Sequence, residues 1–255
     1  MADLPPFSRL KNAVLHYIKS FPVPNNEVRD HFLVKKAHTL RVVQNSKIIA
    51  SRSGFSNKET ELAMIIALFH DIGRFEQFIK YRTFNDDKAE NHAQIAARVL
   101  QQQALLAWCD AETEAVILRS IENHNVFKLP EISDPSVSRF SSLLRDADKL
   151  DIWKITSEQN IGFTIHDEDD PDHYSIPDTI LKCIREGQIV LLQYAKSMND
   201  FRLLRLSWLV DINFPASLSI LEEWGYIQKI LARMPYFPEK EEISGIFHSY
   251  CQNRI

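Results

Sequence analysis

Residues 62–69 form an apolar segment that runs directly into the doublet His70-Asp71. A helix that is apolar nearly all round has to be buried, so this segment predicts a central helix with other elements packed around it. The doublet at its end would then be buried too, and a buried imidazole beside a buried carboxylate is costly unless both groups are compensated. A bound cation compensates both groups, so the doublet indicates a metal site inside the fold.

Helical periodicity continues through most of the chain, and no stretch alternates convincingly as a β-strand. The third helix is expected to start at Ser56, with Glu59 as its capping-box partner, and to end at Gly73. The predicted helices lie at about 7–20, 26–51, 56–70, 88–106, 111–123, 136–160, 177–197, 199–211, 215–233 and 239–252. The sequence therefore predicts an all-α fold.

One acidic stretch interrupts the helical pattern and is the only plausible seam in the chain. Residues 167–172 contain five acids in six positions, which repel one another and favour an exposed loop. His166 and His173 flank it, so a lid or a weak cation site is the alternative. We expect one domain over residues 1–255, with its core at about 26–160 and a C-terminal helical extension at about 177–255.

The composition limits the kinds of partner and the cellular compartment that we expect for this protein. The formal net charge of -4 gives no support to DNA or RNA binding. Three widely spaced cysteines define no disulfide framework, and the start of the chain does not resemble a signal peptide. No apolar run is long enough for a membrane span. A cytoplasmic protein is therefore expected, and the aromatic-rich C-terminal third, which suits either core or oligomer packing, leaves a homodimer open.

Five ionisable side chains lie on apolar faces of separate predicted helical segments: His38, His70, His92, His124 and Asp148. Buried polar groups need partners, and a metal in the middle of a helical bundle is the simplest common partner. Imidazole and carboxylate ligands suit Fe, Mn, Zn, Ni or Co. Two ions would need a bridging carboxylate, and Asp71 is the natural candidate because it adjoins His70.

The order of these residues resembles the HD superfamily of metal-dependent phosphohydrolases. The resemblance rests on His38, on the string His-Asp-Ile-Gly at 70–73, and on Arg-Asp-Ala-Asp-Lys-Leu-Asp at 145–151. It covers about residues 26–160. It implies an all-α, HD-domain-like helical bundle, followed here by the C-terminal helical extension.

The resemblance also implies a ligand set for one or two divalent transition-metal ions. The first site would be held by His38, His70, Asp71 and Asp148, and the second by His92 and His124 together with bridging Asp71. Asp146 and Asp151 are alternatives to Asp148, although the spacing within the family string favours Asp148.

The activity implied by the resemblance is cleavage of a small phosphomonoester or phosphodiester by metal-activated water, with a nucleotide as one candidate substrate. Asp71 and Arg74 would be catalytic, and Arg74, Arg145 and His31 would bind the substrate. Arg74 could equally be a helix C-terminal cation that interacts with the helix dipole. His31 could equally be a partly exposed helix histidine.

Two other functions stay compatible with the same residues. Some HD-fold oxygenases resemble this chain in the order of their six ligands and use a di-iron centre, so hydrolysis and oxidation are not separated by ligand identity. A non-catalytic sensor, whose C-terminal helices bind a partner, is the third hypothesis.

Overall fold

The computed structural model describes residues 4–158 and 174–254, and the acidic stretch 167–172 lies outside them. The described residues form helices and no β-strand, which confirms the predicted all-α fold class. In chain order the helices are α1 (Phe7–Lys19), α2 (Asn26–Arg52), α3 (Asn57–Phe69), α4 (Gly73–Tyr81), α5 (His92–Gln102), α6 (Ala111–Glu122), α7 (Pro135–Glu158), α8 (Asp178–Arg185), α9 (Met198–Ser207), α10 (Pro215–Glu223), α11 (Tyr226–Ala232) and α12 (Lys240–Gln252).

The chain divides into two compact units, with the boundary between Asp148 and Lys149 inside α7. In the first unit α3 is the central helix, and α1, α2 and α6 pack against it. Its residues Leu62, Ala63 and Ile65 to Phe69 are all buried. The apolar segment is therefore the buried helix that the sequence predicts, and it carries the doublet at its end into the interior.

A buried hydrogen bond sets the register between α2 and α7. The side-chain amide of Asn45 donates to the backbone carbonyl of Ala147 at 2.9 Å. Asn45 lies two helical turns after His38, and Ala147 directly precedes Asp148. The bond therefore joins α2 to α7 next to Asp148, two turns along α2 from His38.

The start of α3 has the predicted capping box. The backbone amide of Glu59 donates to the Ser56 hydroxyl at 3.3 Å, and the Ser56 amide donates to the Glu59 carboxylate at 2.7 Å. Both bonds satisfy amide groups that have no partner within the helix. The cap holds the first turn of the helix that positions His70 and Asp71.

Ser56→Ala is expected to lower the free energy of unfolding by about 1 kcal/mol, because it removes the acceptor for the Glu59 amide. Chemical denaturation of the metal-free protein measures the change. Asn57→Ala is the control, since Asn57 is an exposed neighbour in the first turn and makes no part of the capping box. Equal losses in the two variants would contradict a specific role for the cap.

The end of α3 differs from the prediction. The helix stops at Phe69, residues 70–72 form a turn, and Gly73 begins α4 rather than ending α3. A Cβ at Gly73 would lie 2.2 Å from the backbone oxygen of His92 and 2.7 Å from the backbone nitrogen of Ala96. The glycine is thus required by the close approach of α4 to α5, and not by a helix end.

In the second unit the predicted helices are shorter than expected. The helix predicted at 177–197 ends at Arg185, before Gly187 with its φ of 63°. The helix predicted at 215–233 is broken into α10 and α11 at Gly225, which has a φ of 65°. Trp153 is fully buried in this unit and its indole N–H donates to the Arg205 carbonyl at 2.7 Å.

None of the helices in the described residues is both long enough and apolar enough to cross a membrane.

Candidate metal centre

The six predicted ligands come together in the first unit from three helices and two connections. His38 lies in the middle of α2, and Asp148 lies in α7. His70 and Asp71 occupy the turn between α3 and α4. His92 is the first residue of α5, and His124 follows the end of α6. Three of the four histidines therefore sit at helix ends and not on helix faces, which corrects that part of the prediction.

The centre is buried, with one carboxylate reaching its edge. The four histidines and Asp71 are each at most 7% exposed. The Asp148 side chain is 21% exposed and places its Oδ1 3.1 Å from His38 Nε2. Asp148 joins His70 and His124 in one group of close ligand atoms, a group that contains neither Asp146 nor Asp151. The structure thus brings Asp148, rather than its two alternatives, to the centre.

The two carboxylate oxygens of Asp71 face different histidines. Its Oδ2 lies 3.5 Å from His38 Nε2 and 3.8 Å from His70 Nε2. Its Oδ1 lies 3.3 Å from His92 Nε2 on the other side. Close ligand groups form on both sides, one from His38, His70 and Asp71 and another from Asp71, His92 and His124. This is the geometry that a bridging carboxylate requires.

Two of the histidines are oriented by the helices they follow. His70 Nδ1 lies 2.7 Å from the Ala67 carbonyl at the end of α3. His124 Nδ1 lies 2.5 Å from the Ile121 carbonyl at the end of α6. A carbonyl can only accept, so each Nδ1 carries the proton and each Nε2 presents a lone pair when the ring is neutral. The helix ends therefore fix the tautomer that suits a metal ligand.

His92 has the same tautomer through a different partner. Its Nδ1 donates to the Asp86 carboxylate, with Oδ2 at 2.8 Å. Its Nε2 then faces His124 Nε2 at 2.9 Å. Burial lowers the pKa of His92 and lowers that of His124 to about 3, so both rings are neutral near pH 7. Two nitrogen lone pairs therefore point at each other, an arrangement that repels unless a cation lies beside them.

The residues present fit a divalent transition-metal ion. His70 Nε2 is buried and has no hydrogen-bond partner among the described residues. Burial lowers the pKa of His70 as well, so this nitrogen offers a lone pair into the centre. Neutral imidazoles and carboxylates are suitable ligands for such ions, and an ion would compensate every unpaired lone pair at once.

Asp71 stays ionised in the centre. Burial alone would raise the pKa of Asp71, but the surrounding charges, led by Lys35 and including Arg74, hold it well below its ordinary value. Lys35 Nζ donates to Asp71 Oδ2 at 2.9 Å, and Arg74 Nε lies 3.5 Å from Oδ1. A charged carboxylate is the form that binds a cation.

Asp86 is a site residue that the sequence does not reveal. Besides the His92 ring, its carboxylate accepts from the His92 backbone amide at 3.1 Å, from the Gln77 amide at 2.8 Å and from Asn125 at 3.3 Å. These partners come from α4, from the start of α5 and from the residue after His124. Asp86 thus ties together the elements on the His92 side of the centre.

Asp86→Asn is expected to weaken the binding of one metal ion about 10- to 100-fold, the usual effect of removing a group that orients a ligand histidine. An amide presents a single acceptor oxygen, so it cannot hold the His92 ring, the His92 amide and Gln77 together. Calorimetric titration of the metal-free protein measures the affinity. Asp87→Asn, at the exposed neighbouring position, is the matched control. Equal affinities in both variants would rule out the positioning role of Asp86.

Arg74 lies beside the centre, but its guanidinium is already engaged by the protein. Its Nη1 donates to the Phe84 carbonyl at 2.6 Å, to Gln77 Oε1 at 2.8 Å and to Asp86 at 3.1 Å. These contacts hold the loop that carries Asp86 and engage Nη1 of the group that was predicted to grip a phosphate, while the buried Nε has no hydrogen-bond partner among the described residues. Arg74 is also near the start of α4, so the alternative of a helix C-terminal cation is wrong.

Arg145 is buried, and its contacts differ from the predicted contact with a substrate. Its Nη1 donates to the carbonyls of Asn123, His124 and Val126, at 3.2, 3.1 and 2.6 Å. Arg145 is only 3% exposed, and backbone oxygens surround its guanidinium. These contacts favour a positioning role, in which Arg145 holds the segment that carries His124.

His31 lies at the edge of the same region. Its ring centroid is 4.3 Å from that of Phe78 and 5.5 Å from that of Phe84, and the residue is half-buried. It lies close to aromatic rings and is absent from the groups of close ligand atoms. A contact between His31 and a substrate stays a prediction.

Comparison with known families identifies the domain that carries this centre. Residues 36–153 match the family described as HD domain. Comparisons with curated proteins and with solved structures gave no match. The matched residues include all six side chains of the centre. Residues 36–153 of the chain therefore form an HD domain, and this domain carries the centre.

Proposed function

We propose that the protein is a metal-dependent phosphohydrolase that cleaves a phosphomonoester or phosphodiester of a small molecule, with a nucleotide as one candidate. The HD domain supports the reaction class, because the superfamily is one of metal-dependent phosphohydrolases. The buried ligand groups on both sides of Asp71 support the use of divalent ions.

The observation that carries the proposal is the split of the Asp71 carboxylate between two sets of histidines. In the proposal Asp71 would contribute to two sets of ligands: His38, His70 and Asp148 would hold one ion with it, and His92 and His124 would hold the other. Ions bound there would supply Lewis-acid activation of water and of a phosphoryl oxygen. The protein contributes neutral imidazoles in a fixed tautomer and an ionised bridging carboxylate.

The burial of His70 and Asp71 strengthens the electrostatic effect of the charged groups in the centre. The interior position of His70 and Asp71, at 0% and 2% exposure, excludes bulk water from one side of the centre. Charge interactions are stronger where water is excluded, so groups that stabilise developing negative charge act with greater effect there. In the proposal a substrate would approach from the side of Asp148, whose side chain is 21% exposed.

Metal analysis of the purified protein, followed by a screen of phosphomonoesters and phosphodiesters with each metal, tests the proposal. We expect bound transition-metal ions and release of phosphate or of an alcohol that stops when a chelator removes the ions. Asp71→Asn, loaded under the same conditions, is the inactive reference.

Two outcomes would replace the proposal with a different function. An iron-loaded protein that consumes oxygen with an organic substrate and cleaves no phosphoester would be an oxygenase. A protein that binds no metal, and whose stability is unchanged by His70→Ala, would fit a non-catalytic sensor.

A further inference from the structure

The cationic side chains around the centre differ in how many hydrogen bonds they already make to the protein. Arg74 donates to three acceptors through one nitrogen, and Arg145 is buried among carbonyl oxygens. Lys35 lies one turn before His38 on α2, and its side chain is 21% exposed. Its Nζ makes one hydrogen bond among the described residues, to Asp71 Oδ2 at 2.9 Å. An ammonium has three donors, so Lys35 keeps donors for a further anion.

The single hydrogen bond of Lys35 goes to an oxygen that faces two of the candidate ligand histidines. Asp71 Oδ2 is the oxygen that faces His38 and His70, so it is an oxygen that a metal ion in this ligand group would use. Lys35 therefore acts as the countercharge of a buried carboxylate. A divalent ion at the same oxygen would take over that task and would repel the ammonium.

We propose that Lys35 is the anion-binding cation of the centre: when a metal ion engages Asp71, the ammonium moves its hydrogen bond from Asp71 to an anionic oxygen of the phosphorylated substrate. This inference rests on the proposed function. It assigns the role predicted for Arg74 and Arg145 to a residue that remains accessible to solvent.

The flexible lysine stem suits this transfer. Lys35 Nζ also lies 5.3 Å from the centroid of the Phe84 ring, which provides a second favourable contact for the ammonium. A lysine is a point charge on a flexible chain and has no fixed geometry of its own, whereas the planar fork of Arg74 is held by its three acceptors. The ammonium can therefore turn from one oxygen to another without a change in the backbone.

Calorimetric titration of inorganic phosphate into the metal-loaded protein tests the proposal. Lys35→Met is expected to weaken phosphate binding about 10- to 100-fold, as for loss of a hydrogen bond between charged groups. Lys35→Arg should restore part of the affinity. Lys36→Met is the matched control, because Lys36 is the next residue on the same helix but lines a small cavity with Lys11 and Val14 of α1. The metal content of every sample is measured alongside.

Three results would contradict the proposed role of Lys35. Equal phosphate affinity in Lys35→Met and Lys36→Met, at equal metal content, would overturn the role of Lys35 and leave the phosphohydrolase proposal standing. Loss of metal from Lys35→Met alone would make Lys35 a support of Asp71, which also contradicts the proposal. A wild-type protein that binds metal but neither binds phosphate nor cleaves phosphoesters would overturn both proposals.

Discussion

Asp71→Asn is expected to remove metal from both sides of the centre, whereas His92→Ala is expected to remove one ion of two. The reason is geometric: Asp71 Oδ2 faces His38 and His70, and Oδ1 faces His92. The neutral amide loses the charge that both ligand groups share. Metal content per chain, measured by mass spectrometry after equal loading, separates the two cases. Phosphoester cleavage by Asp71→Asn should fall more than about 100-fold, beyond the usual effect of an outer-shell group.

Matched substitutions away from the centre serve as controls. Asp87→Asn repeats the change of carboxylate to amide at an exposed position, and His16→Ala removes an exposed histidine of α1. Both should bind as much metal as the unaltered protein. If Asp71→Asn retained one ion, the carboxylate would be a ligand on one side only and the bridging role would be wrong.

Gly73→Ala is expected to lower the free energy of unfolding by about 3 kcal/mol, the upper end of the usual effect of overpacking. The added methyl would lie 2.2 Å from the His92 carbonyl oxygen and 2.7 Å from the Ala96 nitrogen. Both are backbone atoms, so α4 and α5 must move apart to admit it. Denaturant unfolding of the metal-free protein measures the loss, and His92 should at the same time become a poorer ligand.

Gly245→Ala in α12 is the matched control, because a Cβ there meets nothing within 4 Å. Alanine has a higher helix propensity than glycine, so this change should be neutral or should stabilise by up to about 1 kcal/mol. A Gly73→Ala protein as stable as the Gly245→Ala protein would contradict the close packing of α4 on α5.

The helices and the candidate ligand residues could be predicted from the sequence because their patterns are local. The apolar run at 62–69 indicates a buried helix wherever it occurs, and the Ser56 capping box needs only residues within one turn. The spacing of His38, the doublet and Asp148 is also a property of the chain alone. These predictions required no knowledge of how the helices pack.

The predictions that failed depend on contacts between distant residues. Gly73 was expected to end a helix, because a helix end and a close approach both select glycine and only packing tells them apart. His38 was expected on an apolar face of its helix, yet Val34, one turn before it, is 59% exposed. Helical spacing identifies a face, but which part of that face is covered depends on the neighbouring helices.

The residues that surround the ligands could not be predicted for the same reason. Asp86 lies in the connection between α4 and α5, where no periodicity marks it, and its importance comes from partners brought together by the fold. Arg74 and Lys35 are both cations near the doublet. Their hydrogen bonds, and not their positions in the sequence, show that Arg74 holds the Asp86 loop while Lys35 makes a single bond, to Asp71.

Anomalous X-ray diffraction from crystals grown with Mn²⁺ tests the two-ion centre most directly. We expect two peaks in the first unit, about 3.5–4 Å apart as in other two-metal sites. One should lie at Asp71 Oδ2 with His38 and His70, and the other at Oδ1 with His92 and His124. A single peak, or peaks that lie away from Asp71, would contradict a centre bridged by this carboxylate.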